Sequence, residues 1–242
     1  MMDKPVIQVK DLVKKFGAFV ANDHLNFEVY QGEIFGFLGA NGAGKTTAMR
    51  ILCGLSSPTS GEMTVGGFDV YRQAEQIKQN IGYMSQKFSL YEDLTISENI
   101  RFYGGIYGIP VKKRKEKEQI LLRKLHLEKQ QNQLIAALPL GWKQKLAFSV
   151  AVLHDPKIVF LDEPTGGVDP VTRRQFWDLI YEAAADGKTI FVTTHYMDEA
   201  EYCDRVSIMA EGRIAALDTP ARLKKQFQAE NMNEVFLKIA RK

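Results

Sequence analysis

Short apolar runs alternate along this chain with polar breaks rich in glycine or proline, and their spacing predicts its elements. Residues 6–13 and 25–30 alternate or cluster apolar side chains at strand length, with Phe16-Gly17 between them. Residues 33–38 form a third strand-length run. After the turn-like Ser57-Pro58-Thr59-Ser60-Gly61, residues 62–65 and 81–84 read as further strands. From 96 to 152 the period becomes helical, with few β-branched runs. Residues 157–162 then form a buried-type strand ending in an acid, and Pro170 opens a helix running to about Ala185. Residues 189–193 are the next strand, and residues 205–209 and 213–217 flank the hairpin turn Glu211-Gly212. Strands alternating with helices predict an α/β fold with a mainly parallel sheet. The early strands add an antiparallel β subdomain and the middle block an α-helical insert. There is no internal repeat and no low-complexity linker.

The break after the third strand holds Gly39-Ala40-Asn41-Gly42-Ala43-Gly44-Lys45-Thr46-Thr47, which fits the phosphate-loop pattern G-x-x-x-x-G-K-[ST]. An apolar strand precedes it and good helix formers follow it, so its context fits as well. Its glycines let backbone N–H groups turn inward around a phosphate chain, and the helix N-terminus adds partial positive charge there. Lys45 can reach terminal phosphates as a point charge, and the Thr46 hydroxyl can ligate Mg²⁺. A glycine-rich turn that binds nothing would not require Lys-Thr at the helix start.

Asp162 and Glu163 close the strand at 157–162, and His195 follows the strand at 189–193. Phosphate sites in open α/β sheets lie at the C-terminal ends of the strands, beside the glycine loop. Asp162 can therefore hold Mg²⁺, and Glu163 can face an attacking water as general base or positioner. His195 would stabilise charge developing near the γ-phosphate rather than fill a structural role.

The 242 residues allow one large domain or two small ones, and a hydrophobic content of 45% provides a core without staples. A net charge of +3 implies no nucleic acid by itself. The one strong charge run, residues 112–118, reads as a solvated helix start, with lipid headgroups or RNA as its other possible contacts. Cys53 and Cys203 lack metal spacing and read as reduced thiols of a cytosolic protein. No apolar run approaches the roughly 20 residues of a membrane helix, and the N-terminus lacks a signal-peptide core. Any membrane role must then come through a partner.

In this order the elements resemble the ATP-binding cassette family, the nucleotide-binding domains of ABC transporters, over nearly the whole chain. The resemblance implies one P-loop NTPase domain: a core of about residues 1–86 and 153–242 with an α-helical subdomain of about 87–152. It implies ATP and Mg²⁺ as ligands. Val13-Lys14-Lys15-Phe16-Gly17 is similar to the family's aromatic loop, which would stack Phe16 on adenine, with a core residue as the other reading of Phe16. Tyr83-Met84-Ser85-Gln86 is similar to the Q-loop, which would put Gln86 on Mg²⁺ and join the insert to the core. Asp162-Glu163-Pro164-Thr165 resembles the extended Walker B element. Gly166-Gly167-Val168-Asp169 resembles the D-loop, where Asp169 would meet a second subunit, and Thr194-His195 resembles the switch histidine.

One element departs from the family pattern. Its signature is usually L-S-G-G-Q, and this chain has Leu138-Pro139-Leu140-Gly141-Trp142-Lys143-Gln144, with a helix expected from residue 145 to 153. In the family the signature serine and a glycine N–H bind the γ-phosphate held by the opposite subunit. Pro139 offers neither a hydroxyl nor an N–H, whereas Gly141 is kept. Leu-Pro-Leu-Gly-Trp resembles a subgroup of exporter ATPases, several of them with two fused cassettes. The resemblance thus implies an ATP-hydrolysing domain of a multidrug-type ABC exporter, at the cytoplasmic face of the membrane. Its expected partners are a second ABC ATPase domain and a membrane-spanning permease, with no nucleic acid. The short tail after Leu217 resembles that of exporters, so the resemblance implies no appended regulatory domain. The alternative is a soluble ABC ATPase acting on ribosomes or other nucleic-acid machinery, though those commonly carry two cassettes and a basic linker. A degenerate scaffold that binds ATP without hydrolysis is a third reading, against which Glu163 and His195 both argue.

Overall fold

The computed structural model describes residues 5–86 and 90–240. Two long strands open it, β1 (Pro5–Phe16) and β2 (Phe19–Tyr30), paired antiparallel with several register shifts. Strand β3 (Ile34–Gly39) leads through the glycine loop into helix α1 (Lys45–Leu52). Then come β4 (Ser60–Val65), β5 (Phe68–Asp69), α2 (Ala74–Asn80) and β6 (Ile81–Met84). The helical block is α3 (Ile96–Ile106), α4 (Val111–Lys124) and α5 (Leu140–Ala151). The chain returns through β7 (Ile158–Asp162), α6 (Pro170–Ala185), β8 (Thr189–Thr194), β9 (Arg205–Ala210) and β10 (Arg213–Asp218). It closes with α7 (Pro220–Gln226) and α8 (Met232–Ala240).

Two sheets result. The first is antiparallel, ordered β2-β1-β4-β5; the second is ordered β10-β9-β3-β8-β7-β6, parallel from β9 to β6. Successive side chains of a strand point to opposite faces, and β3 uses both. Phe35 and Phe37 pack with Phe27 and Phe191 between the two sheets, with ring centroids 5.2–6.5 Å apart. Ile34 and Leu38 face the other way, into the core shared with α5, α6 and α8. The parallel strands thus run buried on both faces, which is why they read as continuous apolar runs.

The helices begin where local chemistry allows. Thr95 and Glu98 form a reciprocal capping box at α3. Asp169 caps α6 and Pro170 follows it in the first turn, where its missing N–H costs nothing. The charge run on α4 is mostly solvated, but Glu118 is fully buried and paired with Arg101 through two bonds of 2.6 and 2.9 Å. Helix α5 differs from expectation. It starts at Leu140 rather than residue 145, because extended Pro139 offers its carbonyl to the N–H groups of Trp142 and Lys143. The expected start of the α-helical subdomain, about residue 87, lies outside the described residues. Both cysteines are free and buried, and burial pushes both thiols up, which leaves them unreactive. Among the described residues no helix is long and apolar enough to cross a membrane.

Candidate active site

Strands β3, β6, β7 and β8 all run in one direction, so Gly39, Met84, Asp162 and Thr194 end at one edge of the sheet. Gly44 caps α1 with a left-handed φ of 97°, and a side chain there would strike the Ala21 carbonyl. The Asn22 amide donates to the Gly44 carbonyl at 3.1 Å and anchors the loop to β2. Asn41, Gly42, Gly44, Lys45, Thr46 and Thr47 line one side of a cavity of about 370 Å³, with Gln86, Glu163 and Phe19 opposite. Gly39 and Ala43 lie buried beneath this loop.

Lys45 is buried, and its ammonium donates to the carbonyls of Gly39 at 2.8 Å and Ala40 at 3.1 Å. It also pairs with Glu163 Oε1 at 3.3 Å. Asp162 accepts from the Thr193 hydroxyl at 2.6 Å and from the Thr46 hydroxyl at 3.1 Å. Register explains the first contact, since Asp162 on β7 stands opposite Thr193 on β8. Burial holds the Asp162 carboxyl above the ordinary carboxylate range, partly offset by these two hydroxyls.

Adjacent residues of a strand should face opposite ways, yet Glu163 lines the cavity while Asp162 bonds Thr46 in its wall. A positive φ of 47° at Glu163 makes this possible. That conformation costs a non-glycine residue on the order of 1–3 kcal/mol. The Glu163 N–H is held at 3.0 Å by the Thr193 hydroxyl and at 3.2 Å by the Thr193 carbonyl. Glu163 Oε2 then accepts from the Gln86 amide at 2.9 Å and from His195 Nδ1 at 3.0 Å. A carboxylate only accepts, so Nδ1 carries a proton. Asn22 and Thr193 escaped the sequence reading: Asn22 lies before the strand expected at 25–30, and Thr193 is a polar residue at the end of an apolar run.

A second group lies apart from the first. Pro139, Gly141 and Asp169 line a separate cavity of about 340 Å³, with Leu140 and Trp142 exposed at it. Gly141 packs so tightly on α6 that an added Cβ would overlap Thr172 Cγ2. The Asp169 carboxylate accepts from Val171 N, Thr172 N and the Thr172 hydroxyl. Those bonds, the hydroxyl's above all, hold its carboxyl below the usual range. Phe16 stands exposed at the tip of the β1–β2 hairpin, opposite Phe19, with the Lys14 ammonium 4.8 Å from its ring centroid. Phe19 lines the loop cavity and Phe16 does not.

Comparison with known proteins places this geometry. Residues 22–166 match the family model described as "ABC transporter". The probable multidrug ABC transporter ATP-binding protein YbhF of Escherichia coli (strain K12) is 49% identical over 221 residues, or 91% of this chain. The chain spans 38% of that protein's length. A solved ATP-binding subunit of an ABC transporter superposes with a TM-score of 0.86 at 29% identity, covering 97% of this chain and 99% of the other. The ATP-binding cassette MJ0796, solved as a dimer in a post-hydrolysis state with ADP and Pi, gives a TM-score of 0.79 at 25% identity, covering 88% and 98%. A ribosome-acting ATPase finds no support in these matches.

Proposed function

The chain belongs to the ABC transporter family as an ATP-binding domain, and from that premise we propose that it hydrolyses Mg-ATP at the Lys45–Glu163 cavity to drive an exporter through a membrane partner. One observation supports this most: the convergence of Lys45, Gln86, Asp162, Glu163 and His195, from four strand ends, on a single glycine loop.

The donor set suits Mg²⁺. Thr46, Asp162 and Gln86 offer hard oxygen atoms, as this ion prefers, and the described residues hold no cluster of three His, Cys, Asp or Glu side chains for a softer metal. The ion would neutralise charge on the β- and γ-phosphates. The loop N–H groups of residues 41–47 cradle the phosphates, and Lys45 transfers its donors to them. Glu163 accepts the proton of a water whose oxygen bonds to the γ-phosphorus as the bond to the ADP oxygen breaks. His195, held at Nδ1, turns the other edge of its ring to the γ-phosphate. Phe16 supplies a face for adenine.

The second cavity is the face offered to another ABC domain. Pro139, Gly141 and Asp169 there do not line the loop cavity of their own chain, and they would complete the opposite one instead. The signature is degenerate in the exporter manner: Pro139 removes one contact, while the free N–H groups of Leu140 and Gly141 in the first turn of α5 remain. Tyr91, Phe102 and Ile106 form an exposed apolar patch on the α3 side, fit to receive the membrane partner. That contact holds the domain at the cytoplasmic face. The helical subdomain, about residues 87–152, would move there against the core of about 1–86 and 153–242. The cargo would be a drug-like, lipid or other amphipathic compound.

Glu163→Gln is the test. The variant is expected to bind ATP, lose hydrolysis and elute as an ATP-dependent dimer in size-exclusion chromatography without Mg²⁺. A variant that binds no ATP, or one that hydrolyses it at the wild-type rate, overturns the assignment.

A further inference from the structure

The segment after His195 is gripped by one side chain from another element. Arg173 lies in the first turn of α6, four residues past its cap Asp169. Its guanidinium sits 4.0 Å from the ring centroid of Tyr196, and that ring lies 4.2 Å from the His195 ring. Arg173 also pairs with Asp198 at 3.4 Å and with Glu199 at 3.7 Å. Glu199 is fully buried and accepts from the Thr165 hydroxyl at 2.5 Å, two residues beyond Glu163. The cluster therefore touches the acid strand end, the histidine strand end and the capped start of α6.

We propose that Arg173 is a positioning residue for His195: by clamping Tyr196, Asp198 and Glu199 onto α6 it fixes the histidine against Glu163 and ties that register to the helix start beneath Asp169. A planar guanidinium suits the task, since it stacks on a ring and pairs at its edge at the same time, which an ammonium does less well. Nothing in the clamp touches the loop cavity, so it acts on the chemical step and not on nucleotide affinity. Through Asp169 the same residue gives the second cavity a route to His195: a shift of the α6 start moves the guanidinium, and with it Tyr196.

This inference rests on the hydrolytic reading of the site, and its test keeps the two separable. Arg173→Ala strands the buried Glu199 charge and endangers the fold. Arg173→Lys and Tyr196→Leu avoid this, because each leaves a cation near Glu199. In the full chain each is expected to lower kcat about three- to tenfold. ATP affinity by calorimetry should stay within about twofold and melting within a few degrees. Tyr196→Phe keeps the ring face and is expected to turn over like wild type. In a double-mutant cycle, Arg173→Lys and Tyr196→Leu should be non-additive. Wild-type kcat in both single variants overturns the proposal, as does a parallel fall in kcat, affinity and melting temperature, which marks a merely structural role. Failure of the hydrolytic reading would show instead as wild-type turnover in Glu163→Gln.

Discussion

Replacing Gly141 by alanine isolates the contact between α5 and α6 that carries the second cavity. Alanine on its own would favour the helix by up to about 1 kcal/mol. The new Cβ, however, would overlap Thr172 Cγ2 deep inside van der Waals contact. Thr172 has little freedom to yield: it is β-branched, and its hydroxyl is bonded to Asp169 Oδ2 at 2.5 Å. Relief requires either the loss of that bond or separation of the two helix starts, and overpacking of this kind costs about 1–3 kcal/mol. The net expectation is a loss of about 1.5 kcal/mol, or about 3–6 °C of melting temperature in a chain of this size. Calorimetry of nucleotide-free protein measures it. Thr172→Ser deletes Cγ2 and keeps the hydroxyl, so Gly141→Ala/Thr172→Ser is expected to melt within about 0.5 kcal/mol of Thr172→Ser alone. An alanine variant as stable as wild type, or a double variant with no rescue, would refute the packing argument. Rescue of melting without rescue of turnover would show that Gly141 also serves a close approach across the domain interface.

Three further outcomes follow from the site. Lys45→Ala deletes charge-assisted contacts worth about 1.5–3 kcal/mol each, so ATP affinity by calorimetry should fall by roughly one to two decades; unchanged affinity would remove the phosphate-loop assignment. Pro139→Ser restores a hydroxyl and an N–H at the start of α5 and is expected to raise turnover about tenfold at matched dimer occupancy, part of the 2.7–4 kcal/mol or so of a full oxyanion-type donor; an unchanged rate would mean that this segment does not limit the chemistry. Burial holds Asp162 above its ordinary range, so the folded state binds the proton more tightly and stability falls as pH rises from that range through the raised value. Asp162→Asn should therefore melt higher than wild type at neutral pH, with a flatter acid-range profile and no hydrolysis, and an equal or lower melting temperature would contradict this.

Most of the core was legible because the parallel strands are buried on both faces and glycine or proline marks their ends. Pro170, Glu211-Gly212 and the glycine loop each did locally what their residue types dictate, and Glu211 and Gly212 both take positive φ in the hairpin turn. What escaped depends on tertiary register. The start of α5 was hidden because Gly141 reads as a break, and only its contact with Thr172 explains a glycine inside a helix. Helices α2 and α7 are short, 7 residues each, and too brief for a periodic signal. Thr193 looks like any β-branched strand residue until β8 is set beside β7. Phe19 becomes notable only when the hairpin brings it over the loop cavity. Arg173 lies 22 positions from His195, and no spacing rule joins them.

The arrangement around Glu163 gives these parts one logic. Its Oε1 is paired with Lys45, and its Oε2 accepts from both Gln86 and His195. All three of these donors are groups of the chain itself, so both carboxylate oxygens are engaged within the protein. Phosphate oxygens bound at the loop would compete for the ammonium of Lys45, and that exchange would release Oε1. On the proposed hydrolytic reading, substrate binding and the freeing of Glu163 would then be a single rearrangement. The strained backbone at Glu163, held by the hydroxyl and the carbonyl of Thr193, would keep the freed oxygen aimed at the cavity during that exchange. The folded protein bears the strain and the buried carboxylate of Asp162 as standing costs, set in the few residues where the parallel strands end. The ring-packed core between the sheets offsets them, and it lies on the same strands that present the acids.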